Sequence, residues 1–122
     1  MNKNILVVED NEDICVILKK RLEINGFCVN FAKSGLSFLG FLKNGLEPDI
    51  VILDLVLPDR AGIELLCSLT AKWQKTKVFI FSAHLEYKER IEKYVEGFFV
   101  KTDGVDKLLN AIKNSVKNGG QS

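Results

Sequence analysis

The sequence carries almost no net charge: 17 Lys and Arg against 16 Asp and Glu leave +1. That balance supplies no general reason to bind nucleic acid or an anionic membrane surface. Cysteine is scarce as well. Cys15, Cys28 and Cys67 are odd in number and widely spaced, which excludes both a metal-ligand pattern and a disulfide framework. Each lies in an apolar stretch and reads as a buried free thiol in a reducing compartment. No apolar run reaches membrane-spanning length, and MNKNILVVEDNED turns acidic too early to be a signal peptide. Internal repeats, low-complexity segments and interdomain linkers are all missing. What remains is a cytosolic chain of 122 residues, 47% hydrophobic and 27% charged, the size and composition of one globular domain.

Short apolar runs rich in β-branched and aromatic residues fall at 5–8, 27–31, 50–53, 78–81 and 98–100. Continuous apolar character over so few residues, without alternation, marks strands covered on both faces. Helical periodicity fills the intervals. Ile14, Ile17, Leu18 and Leu22 make a stripe that stops at Asn25-Gly26. Ser34 can cap a second helix carrying Leu36, Leu39 and Leu42, ending near Asn44-Gly45. Ile63, Leu66, Leu69 and Trp73 predict a third. Leu85, Ile91, Tyr94 and Val95 predict a less regular fourth, and Val105, Leu108, Leu109, Ile112 and Val116 the cleanest fifth. The ending NGGQS reads as frayed. Five strands alternating with five helices imply right-handed crossovers and a parallel sheet between two helical layers.

Ligands in such sheets bind beyond the carboxyl ends of the strands. After the first strand stands Glu9-Asp10-Asn11-Glu12-Asp13. A phosphate loop would need glycines there; four carboxylates instead repel a bare phosphate and attract a hard cation. Asn11 as a helix cap, with acids complementing the dipole, accounts for Glu12 and Asp13. It does not account for Glu9 and Asp10, which precede the cap. The third strand closes on Asp54, whose burial is costly unless the carboxylate is paired or metal-bound. Glu9, Asp10 and Asp54 would then meet as an Mg²⁺ site if the first and third strands are neighbours. The fourth strand ends at Ser82-Ala83-His84, offering a hydroxyl, and the fifth at Lys101, offering a cation. Taken singly, Ser82 and Lys101 read as turn or surface residues.

VVEDNED, VILDLVLPDRAG, FSAH and FFVKT, in this order, resemble the response-regulator receiver family of two-component systems. The resemblance covers nearly the whole chain, with 44 residues from Asp10 to Asp54 and 28 from Asp54 to Ser82. It implies a flavodoxin-like, three-layer (βα)5 fold with a five-stranded parallel sheet in the order 2-1-3-4-5. The receiver domain would span 1–118, leaving 119–122 as a tail or the start of a linker. It also implies that Asp54 is the phosphoacceptor, that Glu9, Asp10, Asp54 and the backbone carbonyl of Val56 hold Mg²⁺, and that Ser82 is the switch hydroxyl. Lys101 would pair with the phosphoryl group and Phe98 would be the switch aromatic. Val56 and His84 occupy the positions that flank the path of attacking water and would tune the lifetime of the adduct, although His84 also reads as a plain rim histidine.

By the same resemblance the donor is a histidine kinase or a histidine phosphotransfer domain. The output is a partner protein or domain engaged through the fourth helix, fifth strand and fifth helix, without direct nucleic-acid or membrane binding, and phosphorylation-dependent dimerisation belongs to the same repertoire. Such a chain is a cytoplasmic regulator, not an enzyme beyond its own phosphoryl transfer and slow self-dephosphorylation. With His84 its only histidine, it is not itself a phosphohistidine carrier or kinase. Four features depart from the family pattern, one of them Phe98, which lacks the hydroxyl of the commoner tyrosine and would be read by packing alone. Thr102 follows Lys101 where proline is usual, so a trans peptide is expected there. The span from Ser82 to Lys101 is 19 residues, shorter than usual, so the fourth helix or the turn before Gly97 must be abbreviated. Ala61 replaces the small polar residue often found before Gly62. Two other readings compete: a pseudo-receiver that is never phosphorylated, and an Mg²⁺-dependent phosphohydrolase with an aspartyl nucleophile. The latter would want an acid two residues after Asp54, where Val56 stands.

Overall fold

A computed structural model describes residues 3–119. Five strands, β1 (Asn4–Val8), β2 (Cys28–Ala32), β3 (Ile50–Leu53), β4 (Lys77–Ser82) and β5 (Gly97–Val100), form one sheet in the order β2-β1-β3-β4-β5, all neighbours parallel. The expected topology is therefore found. The helices are α1 (Glu12–Ile24), α2 (Gly35–Asn44), α3 (Gly62–Lys72), α4 (Lys88–Ile91) and α5 (Asp106–Gly119). Consecutive strand residues point to opposite faces, and here both faces are covered. Leu6, Val8, Val51, Leu53, Val78 and Ile80 pack with Phe38, Leu66, Leu69 and Trp73 on one side. Ile5, Val7, Ile50, Ile52, Phe79 and Phe81 pack with Leu18, Leu22, Leu108 and Ile112 on the other. Two buried faces are why the strands read as unbroken apolar runs.

Local signals set the starts of α1 and α2 and the end of α1. Asn11 Oδ1 accepts from the Ile14 N–H at 3.0 Å, and Ser34 Oγ from the Ser37 N–H at 3.0 Å. Gly26, at φ 88°, turns the chain out of α1 in a conformation that costs glycine little.

The structure corrects several details of the pattern. Ile17 and Leu36, read as stripe residues, are exposed, and Cys15 and Phe38, each two residues away, take buried positions. Of the three cysteines only Cys15 is buried; Cys28 and Cys67 are exposed, while Phe27 and Leu66 beside them face the core. The fourth helix is abbreviated as the short spacing required: one four-residue turn, α4, between 3₁₀ turns at Leu85–Tyr87 and Glu92–Tyr94. Leu85 and Tyr94 are exposed, and Ile91 alone of that segment is buried. α5 continues through Gly119, past the boundary set at 118. The rest of the expected tail, 120–122, lies outside the described residues.

Candidate functional site

The parallel register places the ends of β1, β3, β4 and β5 along one edge of the sheet. Glu9 and Asp10 leave β1 there, Asp54 leaves β3, Ser82 ends β4 and Lys101 follows β5. One carboxylate oxygen from each of Glu9, Asp10 and Asp54 lies within 4.8 Å of the others. Lys101 Nζ stands 2.8 Å from both Glu9 Oε1 and Asp54 Oδ2. Glu9 and Asp54 are buried, at 2% and 5% exposure, and Asp10 is exposed. Two buried carboxylates thus share one ammonium, and a third carboxylate opens to solvent beside them.

Backbone contacts hold the acids in place. Asn11 N–H donates to Glu9 Oε2 at 3.1 Å, and Val56 N–H to Asp54 Oδ1 at 3.2 Å. Asp54 N–H donates to the Val8 carbonyl at 3.0 Å, tying the strand ends together. Burial pushes the Glu9 carboxyl above its ordinary value, and the Asp54 charge adds to this; hydrogen bonds from Lys101 and Asn11 pull it partly back. Burial alone would lower the Lys101 ammonium, but hydrogen bonds to Asp54 and Glu9 outweigh it and hold the group above its usual range. Behind the acids, the Cys15 thiol donates to the Glu9 carbonyl at 3.5 Å. Burial, followed by the Glu9 charge, pushes that thiol up to about 11, so it stays protonated and unreactive at neutral pH.

Ser82 is fully buried, and its Oγ accepts from the His84 N–H at 3.1 Å. The His84 ring reaches Glu86 through Nδ1 at 3.3 Å and lies on the rim, outside the carboxylate–lysine cluster. Phe98 is half-buried against the core on the α2–α3 side. All described peptide bonds are trans, the one between Lys101 and Thr102 included.

A family profile described as "Response regulator receiver domain" matches residues 5–113. The chain belongs to this family. The transcriptional regulatory protein KdpE of Mycobacterium tuberculosis is 31% identical over 118 residues, which cover 93% of this chain and 50% of KdpE. The chain therefore spans about half the length of the first curated relatives it matches. Sporulation initiation phosphotransferase F of Bacillus subtilis is 29% identical, with 93% of each chain covered. Among solved structures, the response regulator TrrA of Thermotoga maritima, in complex with Mg²⁺-BeF, superposes with a TM-score of 0.81. It is 28% identical and covers 92% of this chain and 97% of its own. No helix among the described residues is long and apolar enough to cross a membrane.

The loop after β3 folds back tightly on Asp54 and Leu55. Gly62 N–H donates to the Leu55 carbonyl at 2.7 Å, and Val56 and Ala61 form an antiparallel bridge. A Cβ at Gly62 would stand 2.5 Å from the Asp54 carbonyl oxygen and 2.5 Å from the Leu55 Cα. Both are backbone atoms and cannot rotate aside. Gly62→Ala is therefore expected to destabilise the fold by about 1–3 kcal/mol and to displace Asp54, read as a lower urea midpoint together with shifted Asp54 and Leu55 amide resonances. Ala61 supplies no side-chain cap to α3, which matches the missing polar residue in the sequence.

One residue escaped the sequence reading. Asp59, in the same loop, accepts from the Gly35 N–H at 2.7 Å through Oδ1 and from the Leu36 N–H at 2.9 Å through Oδ2. Those two N–H groups hold its carboxyl below the ordinary value. The bonded partners lie 24 and 23 residues away, so no local motif announces the pairing. The hint was an acid directly after Pro58, two residues ahead of the α3 cap position Ala61.

Proposed function

We propose that this chain is the phosphoacceptor switch of a two-component phosphorelay, with Asp54 as acceptor. The observation that carries the reading is Asp54, buried, ion-paired to Lys101, and within 4.8 Å of the oxygens of Glu9 and Asp10. The donor set is all hard oxygen with one carboxylate open to water, which suits Mg²⁺ better than a softer metal. Glu9, Asp10, Asp54 and the Val56 carbonyl would hold the ion. When bound, it neutralises charge on the incoming phosphoryl oxygens. An Asp54 carboxylate oxygen attacks phosphorus, the bond from phosphorus to the donor's nitrogen or oxygen breaks, and an acyl phosphate forms with the leaving group taking the electron pair. Lys101 turns from its carboxylate partners toward the new phosphoryl oxygens, supplying a second cation. The buried Ser82 hydroxyl leaves the His84 N–H to bond a phosphoryl oxygen, and Phe98 turns inward to fill the space it vacates. Val56, bonded to the acceptor through its N–H, and His84 on the rim tune hydrolysis.

The donor is a histidine kinase or histidine phosphotransfer domain, and the output passes through α4, β5 and α5. The B. subtilis relative, a phosphotransferase covered almost end to end by this chain, supports a role in which contact with other proteins carries the signal. Incubation with acetyl phosphate and Mg²⁺ should add one phosphoryl group by intact mass, and none without Mg²⁺. Failure of any adduct to form in the presence of Mg²⁺ and several small donors would favour a pseudo-receiver.

Ser82→Ala should leave phosphorylation largely intact while uncoupling it from the α4–β5–α5 face. Burying an aromatic ring contributes on the order of 1.5–3 kcal/mol, enough to shift a two-state equilibrium by about tenfold or more. Amide shifts with and without beryllofluoride, a phosphoryl mimic, read the coupling. Equal shifts over residues 85–109 in wild type and Ser82→Ala would show that the switch bypasses Ser82.

A further inference from the structure

The loop of residues 54–61 carries both Asp54 and the Val56 carbonyl, and it is anchored from two directions. From inside, Leu55 and Leu57 are buried on either side of an exposed Val56. From outside, the Asp59 carboxylate spans two N–H groups of the first turn of α2, at 2.7 and 2.9 Å. Ser34 takes only the third, that of Ser37. The first turn of α2 is thus capped mainly by a residue of another element. Gly35 completes the fit, because a Cβ there would meet the Arg60 side chain at 2.8 Å. With no Cβ at position 35, Asp59 and Arg60 lie flat against the start of α2.

A helix needs its first N–H groups satisfied, but a local Ser, Thr, Asn or Asp ordinarily does so. Satisfying them from the loop that holds the acceptor ties that loop to a rigid element. Between Val56 and Asp59 run only two residues, one of them Pro58, whose ring fixes φ. Displacing Asp59 must therefore be taken up at or near the Val56 peptide. We propose that Asp59 is a positioning residue whose carboxylate, by capping α2 from the loop after β3, holds the Val56 carbonyl in place to ligate the metal beside Asp54. This rests on the phosphoacceptor reading given above. Asp59 itself touches neither the metal nor the phosphoryl group.

The test titrates Mg²⁺ into wild type, Asp59→Ala, Asp59→Asn and Ser34→Ala, following the amide shifts of Asp10, Asp54 and Val56. Ser34→Ala removes a cap from the same helix turn without touching the loop, so it separates loop positioning from helix stability. Asp59→Ala should raise the half-saturating Mg²⁺ concentration about tenfold, the lower end of what loss of a ligand-orienting partner costs. Asp59→Asn, which keeps one acceptor oxygen, should fall between. Ser34→Ala should match wild type. In acetyl-phosphate reactions the Asp59→Ala rate should return to within about twofold of wild type at saturating Mg²⁺, the signature of weakened binding and not of lost chemistry.

Wild-type Mg²⁺ affinity in Asp59→Ala overturns the proposal, and so does an equal weakening in Ser34→Ala. If Asp59→Ala does not fold, Asp59→Asn decides, and unchanged affinity there overturns it. Wild type that binds Mg²⁺ and is phosphorylated while Asp59→Ala behaves identically removes only this inference. Wild type that does neither removes the phosphoacceptor reading and this inference together.

Discussion

Asp54→Asn should take up no phosphoryl group at all from acetyl phosphate and Mg²⁺, while the wild-type adduct is lost on treatment with hydroxylamine. The asparagine amide has nearly the shape of the carboxylate but no anionic oxygen to attack phosphorus, and it offers a metal one neutral oxygen. The other acids do not replace it. Glu9 has Oε1 on Lys101 and Oε2 on the Asn11 N–H and is 2% exposed. Asp10 is exposed, yet among the described residues no ammonium is positioned on it to meet an incoming anion as Lys101 is on Asp54. Intact mass of both proteins, before and after hydroxylamine, checks the prediction. A phosphoryl adduct in Asp54→Asn, or a wild-type adduct that survives hydroxylamine, moves the acceptor elsewhere.

Lys101→Met should have the second-largest effect, on stability. Glu9 and Asp54 share the Lys101 ammonium at 2.8 Å each, and both are buried. Removing one partner of a buried ionic group costs about 3 kcal/mol or more, because the remaining charge is left without its counter-ion. The sign with pH follows from Glu9. Its carboxyl already lies above the ordinary 4.5 because of burial, with Lys101 pulling it back. Without Lys101 the value moves further up. A carboxyl raised in the folded state favours folding below its unfolded value and loses that contribution as pH rises through the folded one. The Lys101→Met deficit should therefore be small near pH 4.5, grow toward pH 8, and shrink again on adding Mg²⁺. Urea unfolding at both pH values, with and without Mg²⁺, measures it. A deficit indifferent to both pH and Mg²⁺ would mean that Lys101 contributes through packing alone.

Much of this molecule can be read from the chain because two independent periodicities agree. β3 (Ile50–Leu53) is found where its apolar run stands, since all four residues are buried on both faces. β2 is less clear, with Cys28 and Asn30 exposed along an edge strand, so its apolar run begins one residue early at Phe27, which packs against the core before the strand starts. The site was legible because its residues sit at strand ends, where a charged group interrupts an apolar run. Ile17 and Leu36 misled because hydrophobicity alone does not say which side of a wide apolar stripe meets the sheet, and a surface keeps many apolar side chains. Asp59 stayed hidden for a different reason. Its partners belong to a helix more than twenty residues earlier, and a contact made only by folding leaves no mark on local composition.

The broken fourth helix bears on how the protein opens without unfolding. Residues 85–94 hold two 3₁₀ turns and a single α-turn, with no side-chain cap on any of the three, and only buried Ile91 and half-buried Tyr87 fix them to the core. Withdrawing one isoleucine and a half-buried tyrosine exposes an area worth roughly 2–4 kcal/mol, below the roughly 5–15 kcal/mol of global unfolding. The segment should behave as its own foldon, its amides exchanging with solvent deuterium through local openings while those of β1 and β3 exchange only when the whole domain unfolds. A partner that captures the open form would work against a gap of little more than one buried side chain and one half-buried ring.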